Sequence, residues 1–441
     1  MPNQMPREPP TLRRELGRWD VTAIGVNQVI GSAVFVQPAL LAALVGAWSP
    51  WLFVAVGIVS MLIALCFAEV SSRFEGTGGP YLYTRAAFGR FAAFEVGWMM
   101  WFTRATSWAA VINVLATSIG FYWPGVTSGW RRTLLISAII GVITWINVRG
   151  IRQSSFVVNA LTVGKLVPLI LFITVGLFAI DSSRLVPETE LTFTAVSSSV
   201  LLLIFAFGGY EIVPVTAGET RDPRRTVPFA LIMTIVIVSI VMTLAQVVAL
   251  GTLQDLAQSK TPLADSAATF LGAAGAALIT IGAVFSTSGN NMGQALSGSR
   301  NLFALAEQGD LPAFFGHVHP RYRTPVTAIL ITAGVALTLA LSGTFARLAL
   351  VSAVSRLIVY VFTCAAALRL RHPRFATDVK PAVFVVPFGP VIPIAATLIA
   401  LATLAGARPE QLVAGAIALV IGAALFIVAS RSIRSERLTT T

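Results

Sequence analysis

The chain has 441 residues, 56% of them hydrophobic and 11% charged, with a formal net charge of +12. A soluble domain is about a quarter charged, so this composition excludes an ordinary soluble enzyme, and two cysteines exclude a disulfide-stapled scaffold. The apolar residues form runs of about 20, enough for a helix that satisfies its own backbone in lipid. Transmembrane barrel strands would alternate polar and apolar residues instead.

In chain order, residues 1–18 (MPNQMPREPPTLRRELGR) are polar and basic and lack the apolar centre of a signal peptide. They are expected to form a cytoplasmic tail. Twelve apolar spans follow, at roughly 22–46, 51–72, 88–120, 133–149, 158–180, 196–218, 228–251, 265–299, 325–342, 348–368, 383–405 and 410–430. The fold class expected is all-α, a polytopic membrane protein. Residues 19–370 form its core, with halves at about 19–180 and 195–370. Residues 371–430 carry the last two spans and 431–441 a cytoplasmic tail. The connection EGTGGPYLYTRAAFG breaks at Gly-Gly-Pro and brings Tyr and Phe to the membrane interface. The connection ALAEQGDLPAFFGHVHPRYRTP mixes charge with Phe314 and Phe315 and is expected along the inner surface.

Charge placement sets the orientation. With these spans, six basic residues lie on one side: Arg131, Arg132, Arg184, Lys260, Arg347 and Arg408. Most of the others lie on the tails and the even-numbered connections. This is the positive-inside asymmetry, so both termini are expected in the cytoplasm of a cell-membrane protein. The basic charge is thus a topology signal and not a nucleic-acid footprint. His317, His319 and His372 lack an accompanying acidic or cysteine cluster, so no metal is expected. Cys66 and Cys364 fall inside apolar spans and read as small hydrophobes. No phosphate loop, nucleophile elbow or zinc signature is present, so no cofactor and no enzymatic activity are expected.

Two spans are interrupted. Span 1 (AIGVNQVIGSAVFVQPALLAALVGA) carries Gly31-Ser32-Ala33 at its middle, flanked by Asn27, Gln28 and Gln37. Span 6 (VLLLIFAFGGYEIVPVTAGE) carries Gly208-Gly209, with Glu211 two residues on. These spans open the two five-helix halves. Matched interruptions at membrane depth point to a transporter's binding site, because unwound backbone there must line a cavity. Its free N–H groups suit a carboxylate and its free carbonyls an ammonium group. The bland alternative is glycine for close helix packing.

IGVNQVIGSAVFVQPA, GTGGPYLYTRAAFGRFAAFEVGW, FAFGGYEIV and SGSRNLFALAEQGDLPAFFGHVHPRYRTP together resemble the amino acid–polyamine–organocation transporters, which share the LeuT-type fold. The resemblance implies twelve transmembrane helices, a 5+5 inverted-repeat core with helices 1 and 6 broken, and secondary transport of amino acids by alternating access. Carried over by position, Gly31, Ser32 and Ala33 offer N–H groups to the substrate carboxylate, with Gln28 beside them. Phe205, Ala206 and Gly208 offer carbonyls to its amine, and Phe205 gates the site. Ala33 departs from the family's usual Gly-Ser-Gly or Gly-Thr-Gly, and its methyl narrows the conformations open to the break. A transporter-fold sensor is the alternative.

Charge within the spans is costly and therefore informative. Lys165 in span 5 stands where related permeases hold a lysine beside span 1. It is the candidate coupling residue, with protons as the candidate coupling ion. The bland reading is a lysine that bridges carbonyls. Arg104 in span 3 and Arg356 in span 10 either pair with Glu211 or, for Arg104, hold an acidic side chain of the substrate. Glu69 and Glu219 read as braces at the inner ends of their spans. Three bases against one acid disfavour cationic substrates, so the order expected is neutral amino acids first and acidic ones second.

Overall fold

The computed structural model describes residues 14, 16–76, 78–150, 155–188 and 190–439, with the backbone path alone for 155–163 and 431–439. Most of both predicted tails lies outside the described residues or side chains. The regular structure among the described residues is helical apart from one isolated bridge, Leu16 with Thr220.

Span 1 is two helices, α1 (Arg18–Val29) and α2 (Ala33–Val45). A turn at Gly46, with φ 53°, leads into α3 (Ser49–Ser71), whose second residue is Pro50. Proline is tolerated there because the first N–H groups of a helix lack an intrahelical partner. Gly78 and Gly79 adopt φ of 136° and 52° and launch a short helix, α4 (Pro80–Phe88). The long α5 (Arg90–Tyr122) follows, then α6 (Gly129–Arg149), closed by Gly150 in the left-handed region, and α7 (Ser155–Gly176). Thr192 caps α8 (Phe193–Phe207) by accepting the Ala195 N–H at 3.2 Å. Span 6 then continues as 3₁₀ helix, Tyr210–Glu219. The remaining helices are α9 (Pro223–Thr252), α10 (Pro262–Glu307), α11 (Val326–Ser342), α12 (Phe345–Arg369), α13 (Val391–Ala405) and α14 (Pro409–Thr439).

Among the described residues, eight helical stretches are long and apolar enough to cross a membrane, and three shorter apolar helices accompany them. The protein is therefore a multi-pass membrane protein. Helix α5 is its centre: 78% of its apolar stretch is buried in protein, against 17% for α6, which faces outward. Helices α10, α12, α11, α14 and α4 all pack on α5, while α1 and α3 pack on α9 and α2 packs on α8.

Two boundaries differ from the sequence expectation. Span 8, expected over 265–299, is bent at Gly272 (φ 66°, ψ −165°), which divides α10 into a short helix and a long one. Span 11 starts at Val391 rather than near 383. Pro387 and Pro390 interrupt the apolar run between those positions, and Phe388 and Gly389 take positive φ. The Val386 N–H in that irregular stretch donates to Glu69 at 2.9 Å. Arg371 grips the same carboxylate through two nitrogens at 2.7 and 2.5 Å, so fully buried Glu69 ties α3 to the segment after α12. On the same face, buried Asp310 accepts from Tyr81 (2.8 Å) and Arg90 (2.6 Å), tying α4 and α5 to the end of α10. His319 Nδ1 accepts the Arg321 and Tyr322 N–H groups and so shapes the loop before α11.

Candidate functional site

A broken helix leaves carbonyls at one end and N–H groups at the other that need partners. At the end of α1 the side chains of two neighbouring helices meet the carbonyls. Lys165 Nζ, from α7, donates to the Asn27 and Ile30 oxygens at 2.6 and 2.8 Å. From α10, Ser286 Oγ donates to the Gly31 oxygen at 3.1 Å and Asn290 Nδ2 to the Gln28 oxygen at 3.2 Å. Ser286, Asn290 and Gln294 are four residues apart and so line one face of α10. The Gly31 N–H is already donated to the Val29 oxygen at 2.8 Å. The N–H groups left for a ligand are those of Ser32, Ala33 and Val34, at the positive end of the α2 dipole, since the Phe35 N–H donates to the Ser32 oxygen at 3.1 Å. Ala33 is the first residue of α2 and needs no positive φ, so its methyl is no obstacle to helix geometry.

The second break requires glycine twice. Gly209 has φ 128°, and a Cβ there would lie 2.8 Å from the Gln28 oxygen, so the two breaks approach backbone to backbone. At Gly208 a Cβ would lie 1.5 Å from Arg356 Nη1. The break is held by Glu211, which is buried. Its Oε2 accepts the Gly209 N–H at 2.8 Å and the Tyr360 hydroxyl at 3.3 Å. Its Oε1 faces Arg104 Nη2 at 3.2 Å and Arg356 Nη1 at 3.0 Å. One carboxylate thus serves two buried guanidiniums. Arg104 also donates to Gln294 Oε1 at 3.3 Å, and Gln294 in turn to Asn290 Oδ1 at 3.2 Å. The hydrogen-bond chain runs from Glu211 through Arg104, Gln294 and Asn290 to the end of α1.

Between the breaks lies a cavity of about 270 Å³. All seven residues singled out from the sequence for substrate binding line it: Gln28, Gly31, Ser32, Ala33, Phe205, Ala206 and Gly208. Phe205 is nearly buried, its ring edge-on to that of Phe345 at 5.6 Å between centroids. Arg356 lines this cavity, whereas Lys165, Arg104 and Glu211 do not. Lys165 sits behind α1, and Arg104 and Glu211 border a second cavity of about 200 Å³ that Arg356 also borders. Several cavity-lining or adjacent polar atoms lack a hydrogen-bond partner among the described residues: Gln28 Oε1, Ser32 Oγ, and Nε and Nη1 of Arg356.

The family model for amino acid permeases matches residues 16–434. The chain belongs to the amino acid permease family. The permease is thus a transporter and not an enzyme, and its relatives agree. The serine/threonine exchanger SteT of Bacillus subtilis (strain 168) is 29% identical over 88% of this chain and 91% of the relative. The branched-chain amino acid permease BcaP of the same organism is 26% identical over 96% and 94%. The methylthioribose transporter, again of Bacillus subtilis, is 27% identical over 87% and 86%. Relatives of comparable similarity thus carry names with different substrates.

The permease cavity includes residues the sequence reading passed over: Ser107, Val111, Asn290 and Gln294. Asn290 and Gln294 did carry a signal, since two amides four residues apart in an apolar helix share a face. Ser107 carried none. Small hydroxyls are common in spans, and Ser107 is marked by contacts distant in sequence, with Ser352 at 2.7 Å and Arg356 at 3.5 Å. Tyr360 was also missed, because its link to Glu211 crosses 149 residues of sequence.

Proposed function

We propose that this permease carries α-amino acids across the cell membrane by alternating access, binding them between the two helix breaks. The observation that carries this reading is the single cavity lined by residues of both breaks, with Ser32 and the start of α2 at one wall and the Phe205 and Ala206 region at the other. The free N–H groups of α2 suit the substrate carboxylate, and the carbonyls of Phe205 and Ala206 suit its ammonium group. Phe205 closes over the bound molecule. The family description and the names of SteT and BcaP support amino acids as the substrate class.

Twelve spans are reached by pairing α1 with α2 and α8 with the 3₁₀ segment, and by adding the shorter apolar helices. Breaks in the first and sixth spans support two inverted halves, about 19–180 and 195–370, with residues 371–430 as an appended pair. The positive-inside asymmetry supports cytoplasmic termini. Cationic substrates would meet the positive charge of Arg356, which leaves neutral and acidic amino acids. Lys165 is the coupling residue of this proposal: its ammonium group holds the end of α1, and loss of its proton would release those carbonyls.

The test is binding and uptake in proteoliposomes, with each substrate set against its methyl ester. A hydrogen bond to a charged group contributes about 1.5–3 kcal/mol, so the ester should bind at least roughly tenfold more weakly. An ester that competes as well as the free acid removes the carboxylate site.

A further inference from the structure

The two arginines beside Glu211 are not equivalent. Arg104 is engaged by Gln294 and Glu211 and does not reach the cavity between the breaks. Arg356 is 2% exposed and lines that cavity, its guanidinium lying against Gly208. A guanidinium has five N–H donors. Among the described residues, Arg356 makes one hydrogen bond, from Nη2 to Ser107 Oγ at 3.5 Å. Nη1 stands 3.0 Å from Glu211 Oε1 as an ion pair, yet neither Nη1 nor Nε has a hydrogen-bond partner among the described residues.

Charge and geometry converge on one class of occupant. Two guanidiniums share one carboxylate, so the cluster keeps a net positive charge at the cavity wall. Buried charge that is only partly compensated is costly, and an occupant that supplies a carboxylate offsets that cost. The cavity then has two features that attract anions, the start of α2 and the Arg356 fork, and one set of carbonyls suited to an ammonium group. A molecule with two carboxylates and one ammonium group matches all three. Resting on the amino acid reading above, we propose that Arg356 is the specificity-determining residue and that it selects substrates with a side-chain carboxylate. This reverses the neutral-first order expected from sequence, and it moves the selecting role from Arg104 to Arg356.

The experiment compares isosteric pairs, aspartate with asparagine and glutamate with glutamine, by competition and by ligand-induced thermal stabilisation of the purified protein. In the wild type at least one acid should bind about tenfold or more tightly than its amide, from the gain of a charge-assisted fork. In Arg356→Gln that ratio should fall towards one, and Arg356→Lys, which keeps the charge but not the fork, should lie between. Amides that bind as well as the acids in the wild type overturn the proposal, as does an unchanged ratio in a folded Arg356→Gln. If Arg356→Gln does not fold, the wild-type pairs decide alone. If amides and other neutral amino acids bind and the acids do not, selection by Arg356 fails while the amino acid reading stands. If no α-amino acid binds, both fail. If Arg356 instead holds the α-carboxylate, acids and amides weaken together in the variant.

Discussion

Replacing Glu211 by glutamine tests whether one carboxylate holds the second break together. The two side chains are nearly isosteric, so the change removes charge without opening a cavity. In the wild type, Oε1 faces Arg104 at 3.2 Å and Arg356 at 3.0 Å, and Oε2 accepts from Gly209 N–H and Tyr360. All four neighbours are donors, and glutamine can offer only one acceptor oxygen to them. Its NH₂ group would face donors, and two buried guanidiniums would lose their counter-ion. Breaking a buried ion pair from one side costs about 3–5 kcal/mol. The two pairs share one acid, so their losses do not add, and a total of about 3–5 kcal/mol is expected. Denaturant unfolding of the purified protein in detergent measures it, with Arg104→Met and the double variant completing a cycle. The double variant should recover at least about 1 kcal/mol relative to additivity, since it removes one stranded charge. A Glu211→Gln protein as stable as the wild type, or a cycle without coupling, would falsify the ion-cluster account.

Three further outcomes follow from the same geometry. Gly208→Ala forces Arg356 aside and should cost about 1–3 kcal/mol of stability as overpacking, with substrate affinity lost at the same time; wild-type affinity in that variant contradicts the close approach. Lys165→Met removes both bonds to the end of α1 and should abolish uptake driven by an inward proton gradient without sodium, whereas retained pH-driven accumulation excludes Lys165 from coupling. Phe205→Ala should lower transport far more than it lowers the melting temperature, because the ring borders the cavity and meets one aromatic partner among the described residues, Phe345; normal flux would make it an ordinary core phenylalanine.

The length and spacing of apolar runs and the sites of Gly31 and Gly208-Gly209 were legible in the sequence because each is a local property. An apolar run of about 20 residues has few uses other than crossing lipid, and paired glycines mark where a helix can open. That the first and sixth spans supply both walls of one cavity followed from the matched positions of their breaks. The boundary of α13 was misread because apolar content alone was counted across Pro387 and Pro390. The pairing of Glu69 with Arg371 was less accessible still, since it joins residues 302 positions apart.

The sequence by itself determined the membrane class, the two interruptions and the presence of three buried bases against one mid-membrane acid. It could not assign partners to those charges, because Arg104, Lys165, Glu211 and Arg356 sit on four different segments whose mutual approach depends on how the helices pack around α5. Tertiary structure decided that Lys165 serves the carbonyls of α1, that Arg104 joins a satisfied chain through Gln294, and that Arg356 faces the cavity. The physical reason is range. Helix breaks are written in local backbone preferences, whereas the pairing of a buried charge is set by contacts between segments that are distant in sequence.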